Sequence, residues 1–264
     1  MRVSLAQYSV VSGEIDRNLS MIDAMVREAA DREGADLVCL PELCTTGFNW
    51  KRNAKLCARW RGHREAVADL SRRHGVDVCG SFLESGESGK PTNTFLYFDS
   101  EGRLIRKYNK IHLFSAFKEH LHVHPGDRTS IADTRFGRIG CAICYDLRFP
   151  ELFRKNTVEG ARMHVLPAAF PKPRLPHWRI LVQARALENQ SFVFATNQCG
   201  FEGDDDVSEG VEYFGHSMIV DPGGEVLVEA GEEAGIATAE IDLGLLESSK
   251  SLFDTIRDRR PELY

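Results

Sequence analysis

Hydrophobic periodicity switches repeatedly along this chain. Val3, Leu5 and Ala6 open a strand. Leu19, Ile22, Met25, Val26 and Ala29 then share one helical stripe within Asn18 to Ala30, with Gly34 as its stop. Asp36-Leu37-Val38-Cys39-Leu40 is a short apolar run, as in a strand covered on both faces, and it ends at Pro41-Glu42. A loop over Leu43 to Trp50, a helix from about Ala58 to His74 and a strand over Val76 to Leu83 follow. Glu84 to Pro91 reads as a surface turn. Thr92 to Asp99 and Leu104 to Tyr108 form a hairpin around Asp99-Ser100-Glu101-Gly102.

The second half repeats the rhythm. Ser115 to Asp127 is loop-like and rich in His and aromatics. Thr129 to Thr134 and Arg138 to Ile143 make another hairpin, whose second strand delivers Cys144. A helix runs from near Pro150 to about Glu159-Gly160, and the strand Met163 to Leu166 stops at Pro167. Phe170 to Pro176 holds three prolines and no regular element; His177 to Asn189 is helical and Phe192 to Thr196 a strand. Gly200 to Gly210 reads as acidic and flexible. Phe214 to Val220 pairs with Glu225 to Glu229, and Ile236 to Ile241 is the last strand before a polar tail over about 242–264. No repeat or linker divides residues 1–264, so one domain with two mixed sheets packed face to face and covered by helices is the economical arrangement.

Composition adds exclusions. The net charge of −6 gives no basic footprint for nucleic acid, and no apolar run approaches the length of a membrane span. The first ten residues read as a strand, not a signal peptide. Seven cysteines, scattered and odd in number, fit a reducing cytoplasm. Cys141 and Cys144 make one C-x-x-C, which keeps a redox pair or half a zinc site open as a rival reading. His120, His122 and His124 alternate near His112, so a zinc site is also conceivable there.

Three residues share one context. Glu42, Lys110 and Cys144 each sit just past the carboxyl end of an expected strand, where α/β sheets bind ligands. A carboxylate, a cation and a thiol converging there form a set for acyl transfer. Glu42 would take the thiol proton, Lys110 would stabilise an oxyanion and lower the thiol pKa, and the Tyr145 N–H would be a second donor. Singly, each has a bland reading: a solvated Glu, a surface Lys, an inert buried Cys.

Pro41-Glu42, Lys110-Ile111-His112-Leu113-Phe114 and Cys144-Tyr145-Asp146-Leu147-Arg148-Phe149-Pro150-Glu151 together resemble the three signature blocks of the nitrilase superfamily, the carbon–nitrogen hydrolases. The resemblance implies an α-β-β-α sandwich, a Glu42-Lys110-Cys144 triad, neither metal nor organic cofactor, and a homodimer. Glu119 matches a second glutamate of many members. Within the superfamily the ω-amidase-like branch is most similar, through Lys110 to Asp127, His177-Trp178, Ala184 to Gln190 and Tyr213 to Ser217. That implies hydrolysis of the terminal amide of a small carboxylate-bearing substrate such as 2-oxoglutaramate. N-carbamoyl amidase, deaminated-glutathione amidase and nitrilase activities are the alternatives, and a non-catalytic scaffold is another. Tyr145, Arg148, Phe48, Phe114, Ala168 and His177 are the expected substrate-facing residues. One histidine of the His120, His122 and His124 cluster, with Arg148 or Arg174, could meet a substrate carboxylate, although Arg148 could instead brace its turn against Asp146 or Glu151. The family's Trp-Pro at the strand end after the cysteine appears here as Leu166-Pro167, a departure that could alter substrate choice.

Overall fold

The computed structural model describes residues 1–56, 60–86, 89–204, 207–251 and 253–263. In chain order the elements are β1 (Arg2–Gln7), α1 (Ile15–Asp31), β2 (Leu37–Cys39), α2 (Trp50–Leu56), α3 (Trp60–His74), β3 (Asp77–Glu84), β4 (Thr92–Phe98) and β5 (Leu104–Asn109). Next come α4 (Glu119–His122), β6 (Ile131–Thr134), β7 (Gly137–Cys141), α5 (Pro150–Val158), β8 (Met163–Ala168), α6 (Leu175–Asn189) and β9 (Phe192–Asn197). The last are β10 (Cys199–Asp204), β11 (Val207–Phe214), β12 (Met218–Val220), β13 (Val226–Glu229), β14 (Gly235–Glu240) and α7 (Leu245–Ser248). The expected helix start at Ala58 lies outside the described residues.

Two six-stranded mixed sheets form, ordered β14-β1-β2-β3-β4-β5 and β13-β12-β9-β8-β7-β6. Each has three parallel central strands, β1-β2-β3 in one and β7-β8-β9 in the other. Each is completed by antiparallel strands on both sides. The strand alternation explains why the sheets stack. Leu5, Leu37, Cys39, Phe95 and Tyr97 join a core cluster with Ile139, Val165, Phe194 and Ile219 of the second sheet. Their neighbours Ala6, Val38, Leu96 and Phe98 point the other way, into a cluster with Val26 and Ala29 of α1 and Val67 and Leu70 of α3. On the far side α5 and α6 pack against each other, α5 against β7 and α6 against β9. The result is the expected α-β-β-α sandwich.

Several local expectations differ. The segment Phe170 to Pro176 holds a 3-10 turn at Lys172–Arg174 and the start of α6 at Leu175, where Pro176 fits a first helical turn, and α2 precedes the expected helix. β8 does not stop at Pro167 but continues to Ala168, in parallel register with Thr196 and Asn197. Its other neighbour, β7, pairs only as far as Val165. Beyond that point one edge of β8 needs no ladder donor, so a residue without an N–H is tolerated. The expected loop from Ser115 to Asp127 contains a 3-10 turn at Ser115–Phe117 and the single turn α4, separated by Lys118 at φ +54°. Gly200 to Gly210 is not a flexible acidic loop over its described residues. It belongs to the β10–β11 hairpin, with Cys199 opposite Phe214 and Glu202 opposite Val211; Asp205 and Asp206 lie outside the described residues. The density of acidic residues suggested solvation, but Glu202 turns inward. The tail is tied down: the Gln190 amide donates to the Ser249 and Phe253 carbonyls at 2.7 and 3.0 Å.

Candidate active site

Glu42 lies three residues past β2 and opens a tight turn in which Leu43 has φ +43°. Its backbone is locked from both sides: its N–H donates to the Ala168 carbonyl, and Gln198 Nε2 donates to its carbonyl at 2.8 Å. Its carboxylate is fully buried, and Oε1 accepts from Lys110 Nζ and from Asn93 Nδ2, each at 2.8 Å. Oε2 is taken by none of the other described side chains, and the Cys144 thiol lies within hydrogen-bonding range of the same carboxylate. Burial raises the Glu42 pKa above the usual carboxylate value. The Lys110 charge opposes that shift, and the Glu119 charge adds to it.

Lys110 follows β5 directly and is buried despite its charge. Besides Glu42, its Nζ reaches Glu119 Oε2 at 2.8 Å and Oε1 at 3.1 Å. Desolvation alone would push its pKa down. Glu119 and Glu42 outweigh it and raise the value, so Lys110 remains an ammonium ion. Glu119 comes from α4, and its Oε2 also accepts the Phe114 N–H at 2.8 Å. Asn93 of β4 stitches the arrangement together, donating to both Glu42 and Glu119 and accepting from Ser81 Oγ at 2.6 Å.

Cys144 begins a 3-10 turn, Cys144–Arg148, three residues beyond β7, with φ +45°. This conformation is sparsely populated by non-glycine residues and swings the side chain off the strand line. Asp146 holds the turn: it accepts from the Ile143 N–H at 2.9 Å, Tyr108 OH at 2.7 Å and the His112 N–H at 3.1 Å. His112 Nδ1 adds a contact of 2.7 Å to Asp146, and its ring stacks on Phe149 at 3.6 Å. The thiol pKa is raised well above its ordinary value, first by burial and then by the Glu42 charge. Lys110 and the Ala169 backbone pull it down less. The expected depression of the thiol by Lys110 is therefore overridden, and the resting group is a neutral thiol beside a carboxylate. The Tyr145 N–H donates to no acceptor among the described residues.

Residues 2–251 match the family described as Carbon-nitrogen hydrolase. The chain belongs to the carbon–nitrogen hydrolase family. A 2-oxoglutaramate amidase from Bacillus subtilis (strain 168) is 34% identical over 263 residues, covering 99% of this chain and 98% of that one. A solved mutant of an amidase from Nesterenkonia sp. AN1 superposes with TM-score 0.86 at 26% identity, covering 100% of this chain and 98% of that chain. It shows the result of Michael addition of acrylamide at the active site cysteine. A carbon–nitrogen hydrolase from Helicobacter pylori G27 shares the fold with TM-score 0.94 at 24% identity, over 100% of this chain and 97% of that chain.

In this carbon–nitrogen hydrolase, Glu42 and Cys144 open into a cavity of about 380 Å³. Phe48, Phe114, Tyr145, Arg148 and His177 line it, as the sequence suggested. Ala168 does not: it is wholly buried in β8 and its carbonyl accepts the Glu42 and Gln198 N–H groups. Ala169 takes the lining position, because β8 runs further than Pro167 implied. Arg148 does not brace its turn against Asp146 or Glu151. It lies over the Phe170 ring, with Nη2 3.4 Å from His177 Nδ1. Arg174 also reaches the cavity, from the proline-rich segment. Phe117, Phe170 and Pro171 complete the wall and were missed, since no motif marks an apolar residue in an irregular segment.

The rival site readings do not assemble among the described residues. His122 stacks on Trp50 at 5.1 Å, His124 Nδ1 meets the Pro125 carbonyl, and no group of three His, Cys, Asp or Glu is placed to hold a metal ion. Cys141 is a free thiol buried in β7, and burial pushes its pKa up to about 12. No helix among the described residues is long and apolar enough to cross a membrane.

Proposed function

We propose that this enzyme is an amidase that releases ammonia from the terminal amide of a small, carboxylate-bearing substrate through a thioester on Cys144. The observation that carries this reading is one cavity with the Cys144 thiol and Glu42 carboxylate at its floor and Arg148 and Arg174 on its wall. Neither guanidinium has a carboxylate partner among the described residues, and guanidinium groups suit bidentate carboxylate binding. The 2-oxoglutaramate amidase relative acts on a substrate of this class.

The chemistry follows from the protonation states. Glu42, made more basic by burial, takes the thiol proton as Cys144 Sγ bonds to the amide carbon. The carbonyl electron pair moves onto oxygen. An ammonium ion has three protons. Those of Lys110 engage Glu42 and both oxygens of Glu119, so its fixed charge stabilises the oxyanion once the longer 3.1 Å bond to Glu119 gives way, and the unengaged Tyr145 N–H supplies a second donor. Collapse breaks the carbon–nitrogen bond as Glu42 returns its proton to nitrogen, and ammonia departs. Water, deprotonated by Glu42, then adds to the thioester carbon, and the released thiolate recovers the proton. Glu119 and Asn93 position Lys110 and Glu42 throughout.

The test is ammonia release from paired amides of equal length, one ending in a carboxylate and one neutral. Arg148→Leu and Arg174→Leu are each expected to raise KM for the carboxylate substrate about tenfold with little change in kcat. Neither should affect the neutral amide. Equal KM effects on both amides would remove the carboxylate assignment. We also propose a homodimer. Ile180 and Leu187, two helical turns apart on α6, and Val158 at the end of α5 are large exposed apolar groups. A monomeric sedimentation coefficient at micromolar concentration would count against it.

A further inference from the structure

Glu202 has no part in the chemistry above, yet it is a nearly buried carboxyl group beside the site. Its Oε1 accepts the Phe48 N–H at 2.6 Å and a hydrogen bond from Ser12 Oγ; its Oε2 accepts from Tyr213 OH at 3.2 Å. Gly47, at φ +61°, closes against it so tightly that an added Cβ would collide with Oε1. A hairpin residue, far along the chain, thus fixes the backbone that carries Phe48. The hairpin itself is tied to the cavity rim by a bridge between Tyr213 and Pro171.

Phe48 matters because it lies between two spaces. On one side is the 380 Å³ cavity with Cys144. On the other is a second cavity of about 480 Å³, bordered by Trp50, Lys118, Glu202 and Tyr213. Phe48 and Phe117 line both cavities, and their rings meet edge to face at 5.7 Å. They form the partition. Phe117 is held from its own side, by Phe114 at 5.0 Å and by the Trp50 indole N–H, which donates to its carbonyl. Phe48 is half-buried and gains its backbone anchor from Glu202.

We infer that Glu202 is a specificity-determining positioning residue: by anchoring the Phe48 amide it keeps the Phe48–Phe117 partition closed and restricts the acyl portion of the substrate to short chains. This rests on the proposed amide site. Without the anchor the partition yields, the two cavities join, and a longer linear acyl chain extends past Phe48.

The experiment compares kcat/KM for four-carbon and eight-carbon linear primary amides, and Kd for the same amides in a Cys144→Ala background that needs no turnover. The native chain is expected to favour the four-carbon amide. Glu202→Ala should move the ratio toward the eight-carbon amide by about tenfold, as should Phe48→Ala, whereas Glu202→Gln, which retains an acceptor for the Phe48 N–H, should keep the native ratio. Ser12→Ala and Tyr213→Phe, which loosen Glu202 while sparing it, should shift the ratio the same way by less, and they carry the test if Glu202→Ala fails to fold. Equal losses for both chain lengths in Glu202→Ala, or in the Ser12 and Tyr213 variants, would overturn the inference. So would an unchanged ratio in Phe48→Ala. A protein that binds these amides with the expected ratios but releases no ammonia would overturn the proposed function and leave the partition standing.

Discussion

The two sheets bury polar chemistry in opposite ways. The first carries full charges into the interior. Glu42 after β2, Lys110 after β5 and the nearby Glu119 are each no more than 1% exposed, and they lie against one another at 2.8 Å as two carboxyl groups around one ammonium ion. Two buried titratable groups of the second sheet are held neutral instead. Cys144, beyond β7, has its thiol pKa raised by burial, and His164 in β8 is pushed down to about 3 by burial. His164 has Ser191 Oγ 3.1 Å from Nδ1, and a backbone hydrogen bond to Phe153 opposes the effect of burial. The lesson is that burial removes charge unless a counter-charge travels with it. The proposed mechanism sets a neutral thiol from one sheet against a pre-formed electrostatic frame from the other.

The sharpest way to break this contrast is to remove the nucleophile. Cys144→Ala is expected to fold normally and to lose at least about 10⁴-fold in kcat for ammonia release. Near-native turnover would end the thioester mechanism. Next in size is the charged frame. Lys110→Met leaves Glu42 and Glu119 facing each other without a cation, and should destabilise the fold by about 3–5 kcal/mol in urea titrations. Adding Glu119→Gln should recover part of that loss, because one unpaired charge disappears. An undiminished midpoint in Lys110→Met would show that the frame is not held by charge.

His164 tests the neutral side. Its folded pKa lies below the ordinary histidine value of about 6.5, so the unfolded chain binds the extra proton. Stability is therefore complete above about pH 6.5 and falls as pH drops toward 3, by about 2 kcal/mol at pH 5. His164→Gln should flatten this part of the urea-midpoint profile, and an unaltered slope would assign the acid loss elsewhere. The smallest effect belongs to Cys141. Because it is inert packing in β7, Cys141→Ala should cost about 1 kcal/mol and change kcat less than about threefold. Loss of activity there would revive the C-x-x-C reading.

Much of this division was legible in the chain. The strand ends before Glu42, Lys110 and Cys144 follow from local patterns, because period-two runs and turn residues act over a few positions. The sandwich follows from continuous apolar runs that demand cover on both faces. What escaped detection needed tertiary context. Pro167 looked like a stop because the sequence does not show that β7 ends first. Ala169 was displaced from its predicted neighbour by the same error. Glu202 drew no notice within a stretch expected to be acidic and flexible, because its three hydrogen-bond partners lie at positions 12, 48 and 213. Arg148 seemed a turn brace because Asp146 is two residues away, whereas Asp146 is already occupied by Tyr108, His112 and the Ile143 N–H.

The left-handed backbone at Cys144 sets stability and activity against each other. At φ +45° the conformation is natural for glycine and strained by about 1 kcal/mol or more for any side chain. The same backbone swings Sγ into range of Glu42. Cys144→Gly would thus relax the turn while discarding the reactive atom, so selection for thermal robustness alone would drift toward an inert protein. On the proposed mechanism, turnover is what holds a thiol at this position, against the preference of the backbone that presents it.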